Sequence, residues 1–178
     1  MKRLQLLPIG KLDGGLLLDL AATMADTFRI ECEVFSKVLD PEFAFHGERQ
    51  QYHSSEMLQR MQGFVGTNSW RVLGVTGVDL YIPILTFVFG EAQIGGPCAV
   101  VSTHRLRQEF YGYPADTDTL FLRLTKEAVH EVGHTLELMH CDDYSCAMAP
   151  SHAVEWIDLK EATLCAACQA RVMEAANQ

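Results

Sequence analysis

The chain is predicted to fold as one α/β or α+β sheet domain, and the sequence carries that expectation in three ways. Short runs of branched and aromatic residues recur between Leu4 and Ser102, and Leu16–Phe28 and the stretch after Asp116 show helical apolar spacing. No repeat, linker or low-complexity tract separates these segments, so strands and helices interleave within one unit. With 178 residues, 48% hydrophobic and 21% charged, the chain can bury a substantial core.

Leu4–Ile9 reads as a short buried strand, and Asp13-Gly14-Gly15 as the turn that follows it. Leu16, Leu17, Leu20, Ala21, Met24 and Phe28 are spaced three and four apart, the signature of an amphipathic helix. Ile30–Phe35 suggests a second strand, with Cys32 as a small buried apolar group. From Ser36 to Tyr52 no period survives Pro41, Gly47 and the polar run Glu48-Arg49-Gln50-Gln51. Ser54 or Ser55 is placed to cap a helix reaching about Phe64. Val72–Val75, Leu80–Ile82, Leu85–Phe89 and Cys98–Ser102 read as strands. Asp116 or Thr117 caps a long helix with Phe121, Ala128, Val132 and Leu136 towards the sheet. Its opposite side carries Arg123, Glu127, His130 and His134, a polar front.

That front holds His130-Glu131-Val132-Gly133-His134. Four residues advance a helix by about 400°, so the two imidazoles share a face and can bind one metal ion. Glu131 stands beside the first of them, as a general base for a metal-activated water should. A helix with two surface histidines is the plain alternative, but His140 follows six residues later as a third ligand. In an unbroken helix His140 would sit about 15 Å along the axis from His130, too far for bonds of about 2 Å. The helix must therefore end soon after His134 and turn back. The position expected to turn in the left-handed conformation holds Glu137, where glycine is the usual occupant. Met148 is a candidate for the hydrophobic floor beneath the three histidines.

The cysteines form a second constellation. Cys141 and Cys146, then Cys165 and Cys168, are two short-spaced pairs that suit a tetrahedral structural zinc. A redox pair or free thiols in a small core are the alternatives. A closed four-sulfur site would clamp residues 141–168 into a compact lobe. The domain is thus expected to span residues 1–178, with an N-terminal subdomain of 1–137 and a C-terminal one of 138–178. His46, His53 and His104 lack ligand spacing and read as surface or hydrogen-bonded groups; His152 takes the same plain reading, with a peripheral role in the cleft as the less favoured alternative.

The net charge of −9 argues against a nucleic-acid partner. No apolar run reaches the length of a membrane span, and the N-terminal apolar run is short for a signal peptide. A monomeric cytoplasmic protein is the expectation, in keeping with cysteines that bind metal.

The run from His130 to His140, followed by Met148, resembles the metzincin zinc peptidases, with their H-E-x-x-H-x-x-G-x-x-H pattern and Met turn. With Cys141 directly after His140, then Cys146, Cys165 and Cys168, it is most similar to the archaemetzincins (archaelysins). The segments Gln51–Ser55, Gly77–Pro83 and Phe87–Ala92 are also similar to that family. The resemblance implies a mixed twisted sheet backed by helices, a long active-site helix and a small zinc-stapled C-terminal lobe. It implies a peptidase with two zinc ions per chain: catalytic zinc on His130, His134 and His140 with Glu131 as base, and structural zinc on the four cysteines. Met148 would lie in the Met turn. An antiparallel edge strand beside the cleft would take up extended peptide substrate, and Cys98–Thr103 is expected there by position. Glu137, where the family has glycine, is the departure. It supports two rival readings: a non-catalytic peptide-binding module held by the cysteine zinc, or a zinc sensor with an exchangeable histidine site.

Overall fold

A computed structural model describes residues 1–176. Its centre is a five-stranded sheet made of β1 (Arg3–Ile9), β2 (Cys32–Val34), β5 (Ser69–Thr76), β7 (Gly90–Ala92) and β8 (Cys98–Ser102), in the order β2-β1-β5-β8-β7. All neighbours are parallel except β7, which runs antiparallel to β8. A three-stranded sheet stands beside it: β3 (Phe45–His46), β4 (Gln51–His53) and β6 (Leu80–Tyr81), ordered β3-β4-β6.

The central strands are buried on both faces, as parallel strands flanked by helices must be. Leu73 and Val75 of β5, with Ala99 and Val101 of β8, point to one side, while Val72, Cys98 and Val100 point to the other. The first side is covered by α1 (Gly14–Phe28) and α3 (Thr117–Thr135), and the second by α2 (Ser54–Met61). Leu17, Leu20, Ala21, Met24 and Phe28 form the buried stripe of α1, and the Asp13 carboxylate caps it by accepting from the Leu16 N–H at 3.1 Å. In α3 the cap is Asp116, which accepts from the Thr119 N–H at 3.0 Å. Two short helices, α4 (Val154–Leu159) and α5 (Ala166–Ala176), complete the chain.

Several expected elements form differently. Residues 36–52 are not irregular throughout. They contain a 3₁₀ turn at Pro41–Ala44 and the β3–β4 hairpin. Ser54 and Ser55 do not cap α2. Both hydroxyls donate to Glu91, and the cap position is His53, with no side-chain cap. Leu85–Phe89 forms no strand beyond a single bridge between Leu80 and Val88. Its first two carbonyls are taken by side chains instead: Arg49 donates to Leu85 O and Thr86 O, and Gln51 donates to Thr86 O. Cys98–Thr103, expected at the sheet edge, is interior, because β8 pairs with β5 on one side and β7 on the other. The antiparallel edge strand is β7. Cys32 is partly rather than fully buried, since β2 is the opposite edge of the sheet.

Candidate active site

The last turn of α3 ends where the ligand spacing requires. Glu137 adopts φ 64°, and the N–H groups of Leu136 and Leu138 both donate to Gly133 O, at 3.0 and 3.1 Å. The Gly95 N–H reaches across to cap His134 O at 3.1 Å. The turn thus closes with Glu at a position that favours glycine, its exposed side chain packing beside Gly95. Replacing Glu137 with glycine should raise stability by about 0.5–1 kcal/mol, read as a higher guanidinium midpoint. An unchanged or lower midpoint would mean that the Glu137 side-chain contacts outweigh the backbone strain.

The reversal brings three imidazoles together. His130 and His134 have ring centroids 4.6 Å apart, and His140 lies 5.3 and 5.1 Å from them. Their ligand atoms all fall within 4.8 Å of one another. Each helical histidine is oriented from behind, with His130 Nδ1 2.9 Å from Ala147 O and His134 Nδ1 2.7 Å from Leu138 O. Those bonds put the proton on Nδ1 and leave the two Nε2 atoms, 3.1 Å apart, facing the shared centre. Two nitrogens about 2.0–2.1 Å from one tetrahedral ion stand about 3.3 Å apart, so the pair fits a zinc ion. Burial lowers the pKa of all three histidines, most strongly that of His130, which favours the neutral, metal-binding form.

Met148 is fully buried below this group, against the Gly133 backbone between the two helical histidines. A Cβ at Gly133 would collide with Met148 Sδ and stand 3.3 Å from Leu138 Cδ1. Gly133→Ala should therefore cost about 1–3 kcal/mol, measurable as a lower melting temperature. A melting temperature equal to that of the wild type would show that Met148 can move aside freely.

Glu131 is 6% exposed and faces the edge strand. A Cβ on Gly90 would come within 2.8 Å of Glu131 Cγ and 2.6 Å of Val100 O, so only glycine lets the strand approach the carboxylate this closely. Burial raises the Glu131 pKa well above the usual carboxylate value, with further increments from Glu127 and Glu91. His130, Glu131, His134 and His140 open into a cleft of about 410 Å³, walled by Leu85–Gly90 and by Pro150, Ser151 and His152. His152 lines the cleft, closer to the chemistry than its sequence context suggested.

The polar front of α3 is buried along its length. It packs on the segment 147–160. Arg123 grips Asp158 with two bonds of 2.7 Å and donates to Leu106 O at 2.9 Å. Lys126 donates to Ile157 O at 3.0 Å. Lys160, 1% exposed, lies 2.9 Å from Glu127 Oε1 and donates to Ala147 O and Ala149 O at 3.1 Å each. One ammonium therefore ties α3 to the Met148 segment, on the same carbonyl that orients His130. No local pattern announces Lys160; it is brought to Glu127 by tertiary folding alone.

The four cysteines converge next to this site. Their sulfurs lie within 4.8 Å of one another, and Cys141 Sγ and Cys165 Sγ are 3.8 Å apart. Sulfurs about 2.3 Å from a tetrahedral ion are about 3.8 Å apart, so the cluster has zinc dimensions. The N–H groups of Cys165 and Met148 point at Cys146 Sγ, at 3.3 and 3.5 Å, as donors to a thiolate would. The Cys165 thiol is brought down to about 7, chiefly by the Cys168 backbone N–H. The loop from Cys141 to Met148 is closed by the Cys141 N–H donating to Met148 O at 3.0 Å.

A mixed sheet backed by helices, with a histidine triad beside a buried glutamate and a four-cysteine cluster, defines a zinc metallopeptidase. The comparisons agree. The model of peptidase family M54 matches residues 25–174. The archaemetzincin of Methanocaldococcus jannaschii is 37% identical over 97% of this chain and 93% of its own length. That of Natronomonas pharaonis is 33% identical over 94% and 98%. Among solved structures, a zinc-dependent peptidase from Methanocorpusculum labreanum superposes with TM-score 0.86 at 27% identity, covering 95% of this chain and 99% of that one. The archaemetzincin of Archaeoglobus fulgidus gives 0.81 at 32% identity, over 95% and 99%. The chain belongs to peptidase family M54, the archaemetzincins.

Proposed function

We propose that the chain hydrolyses peptide bonds in the cleft at the end of α3, with His130, His134 and His140 holding a catalytic zinc and Glu131 as general base. The observation that carries this reading is the convergence of three neutral imidazoles on one centre beside a buried carboxylate. Zinc, when bound there, acidifies water and polarises a carbonyl. Glu131 takes the proton of the attacking water and passes it to the leaving amine, held in place by the glycine gap at Gly90. Ala147 O and Leu138 O fix the ring orientations that point both Nε2 atoms inward. Extended substrate pairs along the outer edge of β7, with Leu85–Gly90 as the adjoining wall. No helix among the described residues is long and apolar enough to cross a membrane.

Cys141, Cys146, Cys165 and Cys168 hold the second, structural zinc, and residues 138–178, of which 177 and 178 lie outside the described residues, act as the subdomain that it staples within a single domain. Glu137 favours the non-catalytic readings only if its turn fails, and the turn geometry supports the peptidase instead. Removal of metal should separate the two sites. Brief phenanthroline treatment is expected to abolish peptide hydrolysis before melting changes, and added zinc to restore it. Prolonged chelation that empties the cysteine cluster should lower the melting temperature as well. Hydrolysis that survives complete removal of zinc would rule the reading out.

A further inference from the structure

On the far side of the cleft wall, the β3–β4 hairpin and the first turn of α2 gather three groups that peptide hydrolysis does not use. His46 Nε2 and His53 Nδ1 each lie 3.1 Å from the same oxygen of Glu56, Oε1. The three ligand atoms fall within 4.8 Å of one another. Along the sequence His46 and His53 have no ligand period. The hairpin, with Phe45 opposite Tyr52 and His46 opposite Gln51, folds them into contact with ring centroids 5.7 Å apart.

The arrangement has metal-site dimensions. Two light-atom ligands about 2.0–2.1 Å from one ion stand about 3.3 Å apart when tetrahedral and about 2.9 Å when at right angles. The observed 3.1 Å lies between these, and it equals the separation of His130 Nε2 and His134 Nε2 in the cleft. The rings are also held in place. His53 stacks on Tyr81 at 5.2 Å and 25°, and His46 meets the same ring edge-on at 5.6 Å and 79°. Arg49, the neighbouring cation, lies over Tyr81 with its donors committed to Gln51, Leu85 O and Thr86 O. All three groups are partly open to solvent, so an ion can enter and water can fill its remaining positions.

We propose that His46, His53 and Glu56 form a third metal site, for an exchangeable divalent transition ion of the zinc, cobalt and nickel class. Two imidazoles exclude the oxygen-seeking calcium and magnesium, and one carboxylate supplies the charge that favours a dication. The bound ion joins β3, β4 and α2, and through Tyr81 and Arg49 it braces the Leu85–Thr86 wall of the cleft.

The test compares the zinc-loaded wild-type chain with His46→Ala and Glu56→Gln after dialysis against equal free Zn²⁺. Elemental analysis should find one zinc equivalent fewer in each variant. Circular dichroism and melting in the absence of this additional ion should match the wild type, which excludes misfolding as the cause. Crystals soaked in Co²⁺ should show anomalous density between the three side chains. Equal zinc content in wild type and both variants, or no cobalt density at this position with the catalytic histidines occupied, would overturn the proposal. Turnover measured on the same samples depends on the cleft histidines, so failure of this site and failure of the peptidase reading are separable.

Discussion

Glu131→Gln should lower kcat by a factor on the order of 10²–10⁴, the usual contribution of a positioned general base. Glutamine has nearly the same shape, so it can occupy the gap left by Gly90 without disturbing β7 or β8. It cannot take a proton from water. The β7 edge and the Leu85–Gly90 wall, where substrate is proposed to lie, are untouched, so KM should stay close to the wild-type value and the loss should appear in kcat. Zinc content should also be retained, because the three imidazoles and the carbonyls behind them are unchanged. The measurement is steady-state hydrolysis of a quenched fluorescent peptide by the two proteins at matched zinc content. An unchanged kcat would assign the proton transfer elsewhere.

Lys160→Met should destabilise the fold by about 3–5 kcal/mol, because it strands Glu127 as a buried, unpaired carboxylate. For a domain of this size that corresponds to a fall in melting temperature of roughly 6–20 °C. Two further losses act in the same direction: Ala147 O and Ala149 O each lose a charged donor. Pairing the change with Glu127→Leu removes the stranded charge and should recover most of the loss, since a buried ion pair is worth little more than good apolar packing. The thermal melts of the two single variants and the double variant form the test. If the double variant is as unstable as Lys160→Met alone, the ion pair is not the origin of the effect.

The features legible in the sequence were those written in local spacing. The stripe of α1 is set by intervals of three and four and is buried residue for residue apart from Leu16, which is half-buried. The histidines of α3 are one turn apart, and the need for a reversal before His140 follows from helix rise alone; Glu137 does adopt the left-handed conformation. The cysteine pairs signalled their cluster by count and interval. Features produced by tertiary pairing were not legible. Lys160 meets Glu127 across 33 positions of sequence, with no pattern at either end to link them. β7 is three residues long and nearly without apolar pattern, so position along the chain points to Cys98–Thr103 as the edge instead. The β3–β4 hairpin is shorter still, so the sequence shows no ligand spacing between its histidines, which read as surface or hydrogen-bonded groups. The segment Leu85–Phe89 has strand composition, but Arg49 and Gln51 take the carbonyls of Leu85 and Thr86, an outcome that propensity cannot anticipate.

The histidine triad is proposed as the hydrolytic centre rather than a binding or sensing site. The most direct test is mass-spectrometric detection of cleavage in a mixed peptide library, by the zinc-loaded wild-type chain and by His134→Ala. Cleavage by the wild type and none by the variant, with both folded, is the predicted result. Equal cleavage by the two, or none by a wild-type chain whose histidine site is fully occupied, would contradict it.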